Sequence, residues 1–383
     1  MSSTPRNSWR AALRRGVAVV HLWFGLILGL YFVAVGLSGS LLVFEPELKA
    51  AAYPETVHVA PPTPGVALMP VSDVLSRLKR ERSTLTSAQL SRITLPERQG
   101  GAYSLTYGDF AKPMEQRIIT VNPYTGVVMR DAAARDSLPG FSLMLHGYLL
   151  LGAKGFLANG YAGGLTVLLI LSGLWLWWPK TLRQLRIRST VKWRGGAARV
   201  TADLHNVLGI YFLPLLLILS ITGVVLVFYM PVQTAIYKWT KTPPFPSDPT
   251  VTPPRVGTAR LSVEQMTAIA ERALPDAHPT ALTYPQKPDQ PFGCAMEFTL
   301  TGFSNYAEVF VDPYTGRVLQ VNDERHATAG ARIMRVLCNL HFGWWGGPIT
   351  KSLYTIAGIL PTAFSITGLL IYLRKRQARR ARQ

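Results

Sequence analysis

The stretch LHGYLLLGAKGFLANGYAGGLTVLLILSGLWLWWPK, residues 145–180, decides the fold because the chain contains it in two copies. The second copy, LHFGWWGGPITKSLYTIAGILPTAFSITGLLIYLRK, begins 195 residues later at Leu340. Both copies start with Leu-His, pass through glycine-containing sequence into an apolar run, and end in a lysine. A repeated sequence builds the same supersecondary unit each time, so this repeat predicts two equivalent helices.

The repeat extends over most of the chain. HLWFGLILGLYFVAVGLSGSLLVF at 21–44 matches HNVLGIYFLPLLLILSITGVVLVF at 205–228, and VNPYTGVV at 121–128 matches VDPYTGRV at 311–318. The repeated unit is therefore a helix, an extramembrane domain, a histidine and a second helix. Two copies in parallel orientation predict a pseudo-two-fold axis along the membrane normal.

The composition and the length of the apolar runs indicate a membrane protein. Hydrophobic residues make up 48% of the chain and charged residues 16%, whereas soluble proteins carry about 25% charged residues. A helix needs roughly 20 apolar residues to cross the bilayer core. We predict transmembrane helices at 17–44, 158–179, 204–230 and 352–373. The first run far exceeds the apolar part of a signal peptide, about 7–15 residues, so we expect it to be retained.

The basic residues concentrate in three segments. The net charge is +19, and segments 1–16, 180–203 and 374–383 together hold 17 basic residues against one acid. The positive-inside rule places these segments, which include both termini, in the cytoplasm. Residues 45–157 and 231–351 then face the periplasm. Because the excess charge follows the topology, it gives no support to nucleic-acid binding.

The two periplasmic segments have the pattern of small α+β domains. SVEQMTAIAERALP at 262–275 spaces its apolar residues along one helical face, with Ser262 as the N-cap. Alternating sequence on both sides of DPYTG at 312–316 predicts two strands joined by a turn, and the first segment has matching parts. The spacing of Cys294 and Cys338 leaves open whether they form a disulfide. The predicted fold is thus membrane α-helical, with four transmembrane helices in two parallel repeats and two α+β domains.

Four of the seven histidines pair through the repeat. His21 pairs with His205 near the cytoplasmic helix ends, and His146 pairs with His341 on the periplasmic side. A lone histidine at such a position is ordinarily an interfacial hydrogen-bonding group, but a pseudo-two-fold axis brings equivalent residues to the same depth. Two facing imidazoles at each of two depths suit two b-type haems with bis-histidine axial ligation. Structural zinc needs four ligands, and a proton relay would use acidic residues that the apolar runs lack.

Other residues are candidates for contacts with such a cofactor. Gly25 and Gly209 follow His21 and His205 by four residues on the same helix face, where a porphyrin could lie flat. Close helix packing through small residues explains these glycines equally well. We attribute the recurring Ser/Thr-Gly pairs in the helices to packing and local hydrogen bonding. Candidate propionate partners are Arg14, Arg15 and Arg199 on the cytoplasmic side, and Arg332 and Arg335 on the periplasmic side.

The chain resembles the PepSY-associated transmembrane proteins, a family of iron-regulated bacterial inner-membrane proteins. The resemblance rests on HLWFGL near the N-terminus, on the segment 262–318, on the Leu-His before the second and fourth helices, and on the basic loop 180–199. It implies two periplasmic PepSY-like domains. It also implies haem ligation by His21, His146, His205 and His341.

Within that family the resemblance is closest to ferric-siderophore reductases. It therefore implies an enzyme that reduces a ferric siderophore in the periplasm and releases its iron. The electron donor would be a quinol or a cytoplasmic-side reductant. Two other functions stay open: a non-enzymatic PepSY protein for binding, sensing or assisting a permease, and electron delivery to another periplasmic acceptor. Measuring the haem content of the protein distinguishes the non-enzymatic function from siderophore reduction and from electron delivery to another acceptor, because only the last two need haem.

Overall fold

The chain, described by a computed structural model, divides into two compact units. The structure describes residues 5–381 except 64, 83–84, 86–88, 97–99, 110–111, 244–245, 254–256, 299–304 and 344, with side chains from Trp9 onward. The membrane unit comprises Met1–Phe44, Ser142–Val232 and Leu337–Gln383, and the sheet unit comprises Glu45–Phe141 and Gln233–Val336. Each unit therefore draws on both copies of the repeat.

Long apolar helices build the membrane unit. Three of them, α7 (Gly152–Trp177), α9 (Gly196–Val227) and α13 (Gly347–Arg380), are each long and apolar enough to cross a membrane. All three begin before the predicted apolar runs, because the flanking small and polar residues continue the helical hydrogen bonding. The shorter helices that adjoin them in the chain are α6 (Leu138–Tyr148), α8 (Leu182–Arg188), α10 (Tyr229–Thr240) and α12 (Ala329–Phe342).

The first apolar run forms two helices instead of one. α1 (Pro5–Ile27) and α2 (Gly29–Leu42) meet at an angle of 56° around Leu28. The pair is apolar and long enough to count as one bent span, which gives up to four spans in the described chain. Glycine costs about 0.5–1 kcal/mol relative to alanine inside a helix, so Gly29 weakens this point. The equivalent helix α9 runs unbroken past Pro214.

Small residues set the helix contacts in the membrane unit. A Cβ added to Gly36 of α2 would lie 2.1 Å from the carbonyl oxygen of Gly358 on α13, so the two backbones touch there. The equivalent crossing joins α7 to α9, where a Cβ on Gly163 would lie 3.0 Å from Val224. Contacts through small residues of this kind are characteristic of transmembrane helices. The two crossings are related by the repeat.

The sheet unit contains one antiparallel sheet with the strand order β4-β3-β2-β1-β5-β6-β7-β8. The strands are β1 (Leu90–Thr94), β2 (Tyr103–Tyr107), β3 (Arg117–Val121), β4 (Val128–Ala133), β5 (Ala277–Thr283), β6 (Phe292–Phe298), β7 (Tyr306–Val311) and β8 (Val318–Asp323). At the centre β1 pairs with β5, with Arg92 opposite Thr283. The two predicted α+β domains are therefore halves of one sheet, because each half supplies the partner for the other's open edge.

Two helices, α5 (Val71–Glu81) and α11 (Val263–Ala273), share the core of the sheet unit with the strands. Ser262 caps α11 as predicted, in a capping box with Gln265. Cys294 is buried in this core, and both it and Cys338 are free thiols. Two short helices, α3 (Glu45–Ala52) and α4 (Pro54–Val57), begin the unit.

Candidate functional site

The first pair of histidines, His21 and His205, lies on α1 and α9. Nδ1 of His21 is 2.9 Å from Oγ of Ser172 on α7, and Nδ1 of His205 is 2.8 Å from Oγ1 of Thr367 on α13. The two histidines are close enough to interact electrostatically. Each ring is thus held by a hydroxyl of another helix, and the two hydroxyls occupy equivalent positions in the repeat.

The second pair, His146 and His341, lies on α6 and α12. The centroids of the two rings are 6.0 Å apart, and the ring planes make an angle of 45°. Nδ1 of His146 lies 2.9 Å from the carbonyl oxygen of Val35 on α2, and Nδ1 of His341 lies 3.0 Å from Oγ1 of Thr222 on α9. The structure thus brings together two imidazoles that lie far apart in the sequence and match in the repeat.

A Ser/Thr-Gly pair lies against each imidazole, and we call these pairs the clasps. They are Ser38-Gly39 against His146, Ser172-Gly173 against His21, Thr222-Gly223 against His341, and Thr367-Gly368 against His205. The distance from a Cβ added to the glycine to Cε1 of the ring is 2.8 Å for Gly39, 3.0 Å for Gly173, 3.2 Å for Gly223 and 3.9 Å for Gly368. At three of the four clasps, only glycine lets the ring approach this closely.

Three of the four clasp hydroxyls determine which ring nitrogen carries the proton. Each donates its single proton to a carbonyl of its own helix: Ser172 to Leu169 at 2.7 Å, Thr222 to Ile218 at 2.7 Å, and Thr367 to Ala363 at 2.8 Å. The hydroxyl oxygen can then only accept from the ring, so Nδ1 is the donor. A carbonyl is always an acceptor, so Val35 imposes the same state on His146. All four neutral rings therefore present the lone pair of Nε2.

The donor set of each pair is two neutral imidazoles. In the described part of the chain, Nδ1 accounts for every hydrogen bond made by these four rings. No three His, Cys, Asp or Glu side chains group together as metal ligands among the described residues. A tetrahedral zinc site normally takes four ligands, whereas a haem iron takes two axial ones. Two imidazoles at each depth would therefore be able to hold a haem iron.

The two pairs lie at different depths along the helices. α9 carries His205 of the first pair and, 17 residues later, Thr222 of the clasp that holds His341. At 1.5 Å per residue this separation is about 25 Å along the helix axis. The membrane unit therefore holds two separate two-histidine sites, one above the other.

The predicted glycines border open space beside the first pair. Among the described residues, a Cβ added to Gly209 would meet no atom within 4 Å, and one added to Gly25 would meet only Cδ1 of Leu169, at 4.0 Å. Helix packing therefore does not account for Gly209. The space is compatible with a flat group next to His21 and His205.

The predicted arginines have partners within the chain. Arg15 donates to the carbonyl of Ala11 in its own helix, Arg199 pairs with Asp203 at 2.8 Å, and Arg335 pairs with Glu324. A haem propionate that bound Arg199 or Arg335 would have to share the arginine with its carboxylate partner or displace that partner. The assignment of Arg15, Arg199 and Arg335 to a cofactor stays a prediction.

Side chains at one repeated position hold the helix ends that carry the second pair. Asn159 donates to the carbonyl of His146 at 2.8 Å and accepts from the hydroxyl of Tyr31 at 2.8 Å. The equivalent residue in the second copy, Tyr354, donates to the carbonyl of Leu340, the neighbour of His341. The last carbonyls of a helix lack partners within the helix, so these bonds fix the orientation of each helix end.

The sequence did not predict the contact between clasps and histidines. We assigned the Ser/Thr-Gly pairs to packing and local hydrogen bonding, which is correct for their hydroxyl protons but incomplete. The signal that could have identified them is their recurrence: the pairs repeat with the same offsets as the histidines, 184 for Ser38 and Thr222, and 195 for Ser172 and Thr367. Sequence alone does not tell which clasp meets which histidine, because the two lie on different helices.

The apolar helices and the duplicated two-histidine site define a membrane protein with an internal repeat and a sheet unit formed by both copies. The family model of the PepSY-associated transmembrane region matches residues 18–375, and the chain belongs to this family. The match includes all four histidines and all four clasps. No curated protein is detectably similar to the chain.

Proposed function

We propose that the protein is an inner-membrane, di-haem electron-transfer protein that reduces ferric siderophores on the periplasmic side. The observation that carries the proposal is the second pair, in which the centroids of His146 and His341 are 6.0 Å apart. At this spacing the two imidazoles would be able to hold one haem iron between them. The hydrogen bonds of both Nδ1 atoms leave each Nε2 free to ligate.

The first pair supports a second haem by the same chemistry. His21 and His205 are held through Nδ1 in the same way as the second pair, and Gly209 leaves open space four residues after its histidine. When bound, a b-type haem supplies a one-electron couple whose potential depends on its ligands and their hydrogen bonds. The chain's own part is to hold two imidazoles at each depth, fix their protonation and surround them with apolar helices.

The orientation follows from the basic segments. We place 1–16, 180–203 and 374–383 in the cytoplasm and the sheet unit in the periplasm, which puts the second pair nearer the periplasm. A quinol or another cytoplasmic-side reductant supplies one electron for each ferric ion. That electron converts the siderophore's Fe(III) to Fe(II), which these ligands hold weakly, so reduction releases the iron. No proton transfer is required at the substrate.

The first test is the visible spectrum of the protein purified in detergent, before and after dithionite. We expect a b-type spectrum with two haems per chain. His21→Ala and His205→Ala should remove the same haem, and His146→Ala and His341→Ala the other. His326→Ala is the control, because that side chain is 82% exposed and belongs to neither pair. A colourless protein from haem-replete cells would refute the haem assignment and favour a non-enzymatic binding or sensing role.

The second test addresses the substrate. The dithionite-reduced protein, freed of excess reductant, is mixed anaerobically with a ferric hydroxamate or a ferric catecholate. Rapid reoxidation with release of Fe(II) to a ferrous chelator is the expected result. Reoxidation by neither compound would refute siderophore reduction while leaving electron transfer intact, with another periplasmic acceptor as its target.

A further inference from the structure

The four histidines of the membrane unit are held by two kinds of hydrogen-bond acceptor, a backbone carbonyl and a clasp hydroxyl. His146 donates to a backbone carbonyl, that of Val35. His21 and His341 donate to clasp hydroxyls, those of Ser172 and Thr222 respectively. For His205, the Thr367 hydroxyl is the one acceptor found among the described residues. The dependence on a side chain thus differs from ring to ring.

The clasp of His146 shows that an equivalent sequence need not give an equivalent contact. Ser38 occupies the position of Thr222 in the repeat, yet its hydroxyl points back into its own helix, 2.5 Å from the carbonyl of Ala34 and 3.2 Å from that of Val35. His146 bonds to the Val35 carbonyl directly. No side-chain substitution in this clasp removes the acceptor.

We propose that Thr367 is a positioning residue for the first histidine pair, because its hydroxyl fixes the Nδ1–H form of His205. Ser38 has no such role, although it belongs to a clasp of the same sequence pattern. The inference rests on the proposed function for its redox consequence, but the protonation state of the ring can be measured without haem.

The physical reason is the choice between two neutral forms of imidazole. With an acceptor at Nδ1, the proton stays there and Nε2 is a bare lone pair ready for a metal. Without one, the ring populates both forms and rotates more freely, so only part of the population can ligate. The hydrogen bond also increases the electron donation of the ring to the metal, which favours the oxidised iron. Loss of the acceptor therefore weakens haem binding and raises the potential of that haem.

The decisive substitution is Thr367→Val, which keeps the shape and removes the acceptor. Thr362→Val is the matched control: it makes the same change on the same helix, at a buried hydroxyl for which no hydrogen-bond partner is found among the described residues. Ser38→Ala is the control at a clasp whose hydroxyl bonds to its own helix while the histidine bonds to a backbone carbonyl. Loss of an outer hydrogen bond to a ligating histidine costs 10–100-fold in metal affinity. We expect this loss, and a raised midpoint potential, for one haem in Thr367→Val and less than about a twofold change in both controls.

A second measurement uses protein made without haem and labelled with ¹⁵N-histidine, at a pH where the rings are neutral. The ¹⁵N shifts of each ring distinguish the two neutral forms. We expect His205 to be protonated on Nδ1 in the wild type and in both controls, and to be a mixture in Thr367→Val. An unchanged His205 signal in Thr367→Val, or an equal effect of Ser38→Ala on His146, would overturn the inference. A protein that shows the expected shifts but never binds haem would refute the proposed function and leave the positioning role intact.

Discussion

Substituting the clasp glycines with alanine should give a graded series of effects, and the Gly39→Ala variant is the most informative member. The new Cβ would lie 2.8 Å from Cε1 and 2.9 Å from Nδ1 of His146. Carbon atoms pack favourably at about 3.5–4.0 Å, so the ring must move by about 0.7 Å or more. A binding site has to be held to about 0.5 Å, so this displacement disturbs both the bond to Val35 and the alignment with His341.

The matched control is Gly368→Ala, whose Cβ would lie 3.9 Å from Cε1 of His205, an ordinary contact. There the only effect is on the backbone, where alanine is favoured over glycine in a helix by about 0.5–1 kcal/mol. Gly39→Ala should instead lose about 1–3 kcal/mol to overpacking. Haem affinity at the second pair should fall 10–100-fold, as for other disturbed ligand supports.

The assay is thermal unfolding of the haem-free variants in one detergent, followed by titration with haem. We expect the stability order Gly368→Ala, Gly223→Ala, Gly173→Ala, Gly39→Ala, from most to least stable, because the Cβ distances shorten in that order. If Gly39→Ala were as stable as Gly368→Ala and bound haem equally well, the clasps would not position the imidazoles.

Three further predictions concern other parts of the molecule. Gly36→Ala should destabilise the membrane unit by more than about 1 kcal/mol in thermal unfolding, because its Cβ would lie 2.1 Å from the Gly358 carbonyl oxygen, whereas Gly16→Ala, which meets no atom within 4 Å, should not. Burial and, secondly, the charge of Asp248 raise the pKa of Glu308, so the folded protein binds this proton more tightly than the unfolded chain does. The stability that the protonated carboxyl gives the folded state is fully present below the unfolded pKa of about 4.3 and is lost as the pH rises through the folded pKa. Glu308→Gln should therefore stabilise the sheet unit at pH 7 and not at pH 3. Equal effects of the substitution at both pH values would contradict this prediction. Burial raises the pKa of Cys294 to about 12, so iodoacetamide should modify it at pH 7.5 only after denaturation; rapid labelling of the native protein would show that the core is open.

The sequence predicted the parts whose signal is periodic or repeated. The apolar runs gave the spanning helices α7, α9 and α13, and the pattern around Ser262 gave α11 with its cap. The repeat also predicted that His146 and His341 lie at the same depth, and their ring centroids are 6.0 Å apart. These features depend on local pattern or symmetry, and both are visible in a single chain.

Features that depend on contacts between distant segments were not predictable. Nothing in the sequence around Arg92 indicates that its strand pairs with the one containing Thr283 and so joins the two halves into one sheet. The bend at Leu28 is another case, because a lone Gly29 is tolerated in many transmembrane helices while Pro214 looks the stronger breaker. In each case the neighbour across the contact decides the outcome.

The central pairing of β1 with β5 also has a consequence for biogenesis. Thr94 and Ala281 are partners in the sheet but lie 187 residues apart in the chain, and α7 and α9 are made between them. Because the chain is synthesised at about 5–20 residues per second, this edge of β1 stays unpaired for roughly 10–40 s. An exposed edge invites pairing with other chains, and a charged side chain such as Arg92 on that edge counteracts it. The first half of the sheet therefore cannot complete this pairing until the second half has been synthesised.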